Sequence, residues 1–148
     1  MNKACVFNTA TEVVTCSKDY SELFNDEAIV SLHPLAAEED SVKRTKHVFV
    51  TDRGNLFVDA IGVRKLPKKL HKIAGDQVWK SFQNDFDPST IAVCQKKTTL
   101  QLWDVNNTAV TWHAKNLPHD DLELAIPIFD TGVAHLSDRV LAVSNGYG

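Results

Sequence analysis

The side chains best suited to chemistry in this chain are six histidines, three cysteines and a scatter of carboxylates, and their spacing builds no reactive centre locally. His33, His47, His71, His113, His119 and His135 are never three or four residues apart, so a metal site would have to be assembled wholly by the fold. Gly-x-Gly-x-x-Gly, a phosphate-cradling Gly-Lys-Ser/Thr loop, a Gly-x-Ser-x-Gly elbow and His-Glu-x-x-His are all absent from the sequence. Cys94 ends the apolar run Ile91-Ala92-Val93-Cys94, a setting in which free cysteine behaves as a small buried hydrophobe. Asp120-Asp121, next to an expected strand start and just after Pro118, has no base or nucleophile nearby and reads as a solvated turn. The expectation is a protein without catalytic residues, metal or cofactor; a β-fold hydrolase would need His, Asp and Ser to converge from distant positions.

Two groups of residues suit binding better than catalysis. Lys43-Arg44-Thr45-Lys46, with Arg64-Lys65 and Lys68-Lys69, supplies cations that can neutralise RNA phosphates, although short basic runs on loops are usually just solvated. The second group lies in the run from Trp112 to Phe129, where Lys115, Asn116, Asp120 and Asp121 cluster ahead of the alternating Leu122, Leu124, Ile126 and Ile128. That alternation predicts one buried strand face, with Pro127 placing the strand at an edge or a crossover. A crossover does not call for so many charged and amide groups, which makes these four residues candidates for a protein-binding surface.

Elements able to position such groups recur along the chain. Leu56-Phe57-Val58-Asp59 and Leu100-Gln101-Leu102-Trp103-Asp104 read alike, and their closing aspartates are 45 positions apart. Each follows a short apolar strand and a tight polar turn: Val48–Thr51 with Asp52-Arg53-Gly54-Asn55, then Ile91–Cys94 with Gln95-Lys96-Lys97-Thr98. Val140-Leu141-Ala142-Val143 continues the series. A period of roughly 40–45 residues carrying hairpins, one ending in Trp-Asp, is the pattern of a WD-type β-propeller. In that reading Leu100, Leu102, Trp103 and Asp104 are structural, with Leu102 buried and Trp103 on the opposite face.

The pattern predicts a hairpin over Asn8-Thr9-Ala10-Thr11 and a surface insertion at about 17–46, with a helical turn at Ser21–Ala28 capped by Ser21. It then predicts strands at 47–51, 55–61, 70–74 and 77–82, with a basic loop at Arg64–Lys69, and further strands at 90–95, 99–105, 109–114, 132–136 and 139–144. The whole of 1–148 then forms one all-β domain, about two and a half blades of antiparallel four-stranded sheet. A closed propeller needs at least about four blades, so the expectation is a fragment of a larger ring with unpaired sheet edges. The alternative fold is a small β-sandwich or barrel.

Composition fits a globular domain: 148 residues, 43% hydrophobic and 24% charged. The net charge of −3 argues against a dedicated nucleic-acid-binding domain while leaving room for a local basic patch. Three cysteines without Cys-x-x-Cys spacing suit a reducing compartment, and no apolar run approaches the length of a membrane span, so a soluble intracellular protein is expected.

Ala114-Lys115-Asn116, followed by Asp120 or Asp121, Leu122-Glu123-Leu124 and Ile126-Pro127-Ile128-Phe129, resembles the signature segment of the nucleolar WD-repeat proteins that assemble the large ribosomal subunit, the Nop-seven-associated type. That family commonly has tryptophan after the Pro-Ile or Pro-Val pair, where this chain has Phe129. Upstream, Ser21-Glu22-Leu23-Phe24-Asn25-Asp26 and Ser41-Val42-Lys43-Arg44-Thr45-Lys46 resemble the family's acidic-then-basic insertion. The resemblance covers most of Ser21 to Gly148. It implies a seven-bladed propeller of which this chain is a portion lacking the C-terminal blades and lysine-rich tail. It further implies a non-enzymatic scaffold in the nucleolus, contacting other assembly factors, the large-subunit precursor and ribosomal RNA, and released by an AAA-class ATPase. The alternative function is a generic WD-repeat adaptor of a ubiquitin-ligase or signalling complex.

Overall fold

Alternating apolar and polar residues between tight turns give twelve strands, seen in a computed structural model. It describes all residues except 1–2, 25, 36–45, 61–66, 74–76, 117, 120–121, 123, 125 and 147–148, together with the side chains of 3–4, 6–8 and 15–17. The strands are β1 (Lys3–Asn8), β2 (Val13–Asp19), β3 (Ile29–Pro34), β4 (Lys46–Thr51), β5 (Asn55–Ala60), β6 (Lys68–Lys72), β7 (Val78–Gln83), β8 (Thr90–Gln95), β9 (Thr98–Asp104), β10 (Ala109–His113), β11 (Asp130–His135) and β12 (Leu141–Asn145). They form two four-stranded antiparallel meanders, β3-β4-β5-β6 and β7-β8-β9-β10, and two hairpins, β1-β2 and β11-β12. No helix occurs among the described residues. The first strands of successive units are neighbours: β3 approaches β7, and β11 approaches both β7 and β8.

The turns inside the meanders follow from backbone chemistry. Between β4 and β5, Gly54 takes φ +77° and donates its N–H to the Thr51 carbonyl at 2.9 Å, while a Cβ there would press on the Ile73 carbonyl. The corresponding turn between β8 and β9 puts Lys97 at φ 62°, a conformation a side chain tolerates at some cost. After β9, Asp104 Oδ1 accepts the N–H groups of Asn106 and Asn107 at 2.8 and 3.0 Å, and Oδ2 accepts Asn107 Nδ2 at 2.7 Å. Those bonds hold its carboxyl below the usual range and close the turn into β10.

Three apolar layers alternate with the sheets. Val48, Val50 and Leu56 of one meander meet Ile91, Val93, Trp103 and Val105 of the other, with Ile73 and Val78 between them. On the outer face of the first meander the cross-strand pair Phe49 and Phe57 stacks at 5.3 Å beneath Tyr20 and Phe24. On the outer face of the second, Ala92, Cys94 and Leu100 meet Val133 and Leu141 of the β11-β12 hairpin. Cys94 is fully buried and its thiol is pushed up to about 12, chiefly by burial.

The structure differs from the sequence reading in five places. The stretch at 17–46 is no surface insertion where it is described: β2 extends to Asp19, Tyr20 and Phe24 are core residues, and β3 pairs with β4. The expected helical turn begins earlier, with the Tyr20 carbonyl accepting from Leu23 and Phe24, and Asp19 Oδ1 accepts the Ser21 N–H. Lys68 and Lys69 belong to β6 and not to a loop, because they pair with Val58 and Phe57 of β5. Leu122 and Leu124 are 77% and 59% exposed and lie outside any strand. Lastly, Leu102 is only half-buried, on the same face as the fully buried Leu100 and opposite Trp103.

This burial difference sets the cost of truncation. Leu100→Ala is expected to destabilise the fold by about 2–5 kcal/mol and Leu102→Ala by clearly less, measured as the shift in urea midpoint.

Candidate functional site

The link between β10 and β11 carries the residues nominated for binding, and its two ends are tied to the sheets. The Ala114 N–H donates to the Leu100 carbonyl at 2.8 Å, extending the β9-β10 ladder by one step. Asn116 Nδ2 donates to the Ile126 carbonyl at 3.0 Å, drawing the far end of the link back to its beginning. Beyond that, the Phe129 carbonyl accepts the Gly146 N–H at 2.8 Å, and the Phe129 ring tilts against Trp79 at 5.3 Å. Gly146 is required here because a Cβ would run into the Phe129 ring.

Lys115, Asn116, Ile126, Asp130 and Asn145 surround a cavity of about 210 Å³ whose walls include Leu100 and Val143. Burial pushes the Asp130 carboxyl above the usual range, opposed by a hydrogen bond with the Leu100 backbone. The cavity therefore sets an exposed ammonium beside a partly buried acid and two amides. Such a set can pair with polar groups by charge and hydrogen bonding.

Of the protein-binding residues expected from sequence, Lys115 and Asn116 come together at this cavity, while Asp120 and Asp121 lie outside the described residues. Among the basic residues, Lys43, Arg44, Arg64 and Lys65 also lie outside the described residues. Lys46, Lys68 and Lys69 are exposed. Lys46 pairs with Ala60 and Lys68 with Val58, so both stand at the same end of the sheet, on either side of β5. Lys69 Nζ sits 6.0 Å over the Phe57 ring. Lys68, Lys69 and Lys72 make β6 a basic outer edge, which also suits an edge strand protected against unwanted pairing.

Sequence reasoning missed two polar clusters. At the neighbouring first strands, Ser81 Oγ lies 2.7 Å from His33 Nε2 and shares a short hydrogen bond with Ser31 Oγ. A Ser-His contact is the beginning of a nucleophilic dyad, but Ser81 is only 5% exposed and its hydroxyl ties β3 to β7. Burial depresses the His33 pKa despite the hydrogen bond with Ser81, favouring the neutral ring. In the second cluster, buried Asp59 accepts from Lys18 Nζ at 2.6 Å and Tyr20 OH at 2.5 Å, joining the end of the first hairpin to β5. The period-two pattern Val30-Ser31-Leu32-His33 was the available signal for the first; nothing in local spacing signals the second, which spans 39 positions.

Comparison with protein-family models and with curated proteins finds no match for the chain.

His33 gives the fold a definite response to acid. Its pKa lies below the unfolded value in the folded state, so the unfolded chain binds the proton more readily. Its contribution is complete above the unfolded pKa of about 6.5 and lost as pH falls through the folded value. Urea midpoints are expected to fall as pH drops below that point, with a shallower fall in His33→Gln; equal slopes would remove His33 as a source.

Proposed function

We propose that this chain is part of a WD-type β-propeller that serves as a non-enzymatic scaffold in nucleolar assembly of the large ribosomal subunit. Two four-stranded meanders with neighbouring first strands support the propeller reading. The observation that carries the function is a coincidence of place. The residues resembling the Nop-seven-associated signature are those of the β10-β11 link, which is tied at both ends and presents Leu122 and Leu124 to solvent. A loop held by a rigid scaffold is where binding residues are most often carried.

On this reading, precursor-bound assembly factors contact the link through Lys115, Asn116, Asp120 and Asp121. Ribosomal RNA phosphates meet Lys46, Lys68 and Lys69, together with Lys43, Arg44, Arg64 and Lys65. Several weak contacts act together through multivalency, and an AAA-class ATPase releases the scaffold. No cofactor takes part.

Reversing Asp120 and Asp121 to lysine is expected to release the protein from large-subunit precursors in gradient sedimentation while circular dichroism stays unchanged. A wild-type protein that never sediments with these particles would defeat the assembly reading and leave the generic adaptor. RNA contact is tested separately. Lys46→Gln, Lys68→Gln and Lys69→Gln together should lower the slope of log affinity against log salt by about 2 for single-stranded ribosomal RNA, at roughly 0.7 per phosphate contact. An unchanged slope would free β6 for a purely protective role.

A further inference from the structure

Three connections converge at the end of β10 opposite the link. The β7-β8 loop at 84–89, the β9-β10 turn and the β11-β12 loop at 136–140 contribute to the lining of a cavity of about 400 Å³. Asp87 and Asp104 both line it, and each is locked in place by its own turn. Asp87 Oδ1 accepts the Ser89 N–H and hydroxyl at 3.0 and 2.7 Å, and Oδ2 accepts the Thr90 hydroxyl at 2.7 Å. Asp104 is held likewise by Asn106 and Asn107. These bonds, chiefly those from Ser89 and Asn107, keep both carboxyls below the usual range, so both are anionic at neutral pH. The two charges also act on one another, Asp87 opposing the fall at Asp104.

The cavity leaves these anions uncompensated. Among the described residues neither has a cationic partner; the Arg139 guanidinium, which also lines the cavity, lies 3.4 Å from its neighbour Asp138 instead. A carboxylate has about four acceptor positions, so Oδ2 of each aspartate keeps one open after its single bond. A donor is left over as well. Asn84, only 5% exposed, lines the same cavity; its Oδ1 accepts the Phe86 N–H at 2.9 Å, and its Nδ2 has no hydrogen-bond partner among the described residues. His135 Nε2, on another wall, is buried without a partner. Buried polar groups are nearly always paired, so their presence here calls for an occupant with polar atoms of its own. Leu102 and Leu141 add an apolar wall. No group of His, Cys, Asp and Glu among the described residues is placed to hold a metal ion, and the set of wall, anions and amide suits an organic cation instead.

We propose that this cavity binds a lysine or arginine side chain of a partner polypeptide, with its aliphatic stem along Leu102 and Leu141, its cation between Asp87 and Asp104, and a backbone carbonyl of the same segment accepting from Asn84 Nδ2. Lysine and arginine stems pack on apolar surface while their heads stay with charge. Both carboxylates are already ordered by their turns, so the protein loses little freedom on binding. The site is separate from the β10-β11 link and does not depend on the scaffold reading.

Isothermal titration calorimetry with the blocked peptide Ala-Ala-Lys-Ala-Ala, its arginine counterpart and its norleucine counterpart tests the site. The two cationic peptides are expected to bind, and the norleucine peptide to bind about tenfold more weakly or worse. Butylammonium alone should also bind more weakly than the lysine peptide, because it offers Asn84 no carbonyl. Thr111 is exposed and lines the cavity, so Thr111→Lys should place a cation of the chain itself there and abolish peptide binding while circular dichroism stays unchanged. Glu22→Gln, exposed on a distant turn, changes the net charge by the same amount and should bind as the wild type does. Asp104→Asn should weaken binding of both cationic peptides. No binding of the lysine peptide at millimolar concentration, equal affinity for the norleucine peptide or for butylammonium, undiminished binding in Thr111→Lys, or an equal loss in Glu22→Gln would each overturn the proposal. None of these results bears on sedimentation with ribosomal precursors, which judges the scaffold reading separately.

Discussion

The apolar layer between the two meanders is the constraint on which the rest of the structure depends. Val48, Val50 and Leu56 face Ile91, Val93, Trp103 and Val105, and each fully buried aliphatic chain contributes about 1.5–3 kcal/mol. Strands alternate, so satisfying this layer turns Phe49 and Phe57 outward on one side, and Ala92, Cys94 and Leu100 outward on the other. Those residues in turn need cover. Tyr20 and Phe24 provide it on one flank, Val133 and Leu141 on the other. The stack of layers is therefore a consequence of burying β4, β5, β8 and β9 on both faces.

Apolar layers alone leave register and strand neighbours weakly defined, and the buried polar groups supply that definition. Asp59 would be costly to bury by itself, and it is tolerated because Lys18 and Tyr20 both reach it. The same logic holds at the first strands, where the Ser31, Ser81 and His33 contacts fix β3 against β7. Glu27 similarly accepts from Asn55 Nδ2 through both carboxylate oxygens, at 2.8 and 2.7 Å, and also bonds the Thr51 side chain, at the head of β5. A slip of one residue would turn these groups toward apolar neighbours, so each bond penalises misregistration more than it adds to net stability.

How much was legible depended on whether the signal was local. The strands around Ile91 and Leu100 were readable because apolar runs are broken by turns whose chemistry is written in Gly54 or in Asp104-Val105-Asn106-Asn107. Lys115 and Asn116, adjacent in sequence, also line one cavity. β3 was hidden by its acidic surroundings and by Pro34, although its burial needs only the partner β4. Leu122 and Leu124 misled in the opposite sense. Alternation is a necessary signature of a half-buried strand, and it is not a sufficient one.

That failure clarifies why the β10-β11 link stands out. An exposed leucine singly is ordinary, but this link carries two of them, along with Lys115 and Asn116 at the cavity. The Asn116 bond to Ile126 and the Gly146 bond to Phe129 tie both ends of the link to the sheets. Gly146 tolerates no side chain against Phe129, and Phe129 rests on Trp79 of the second meander. The packing that stabilises the sheets thereby also positions the link. A side chain at Gly146 would therefore displace Phe129 and with it the end of the link.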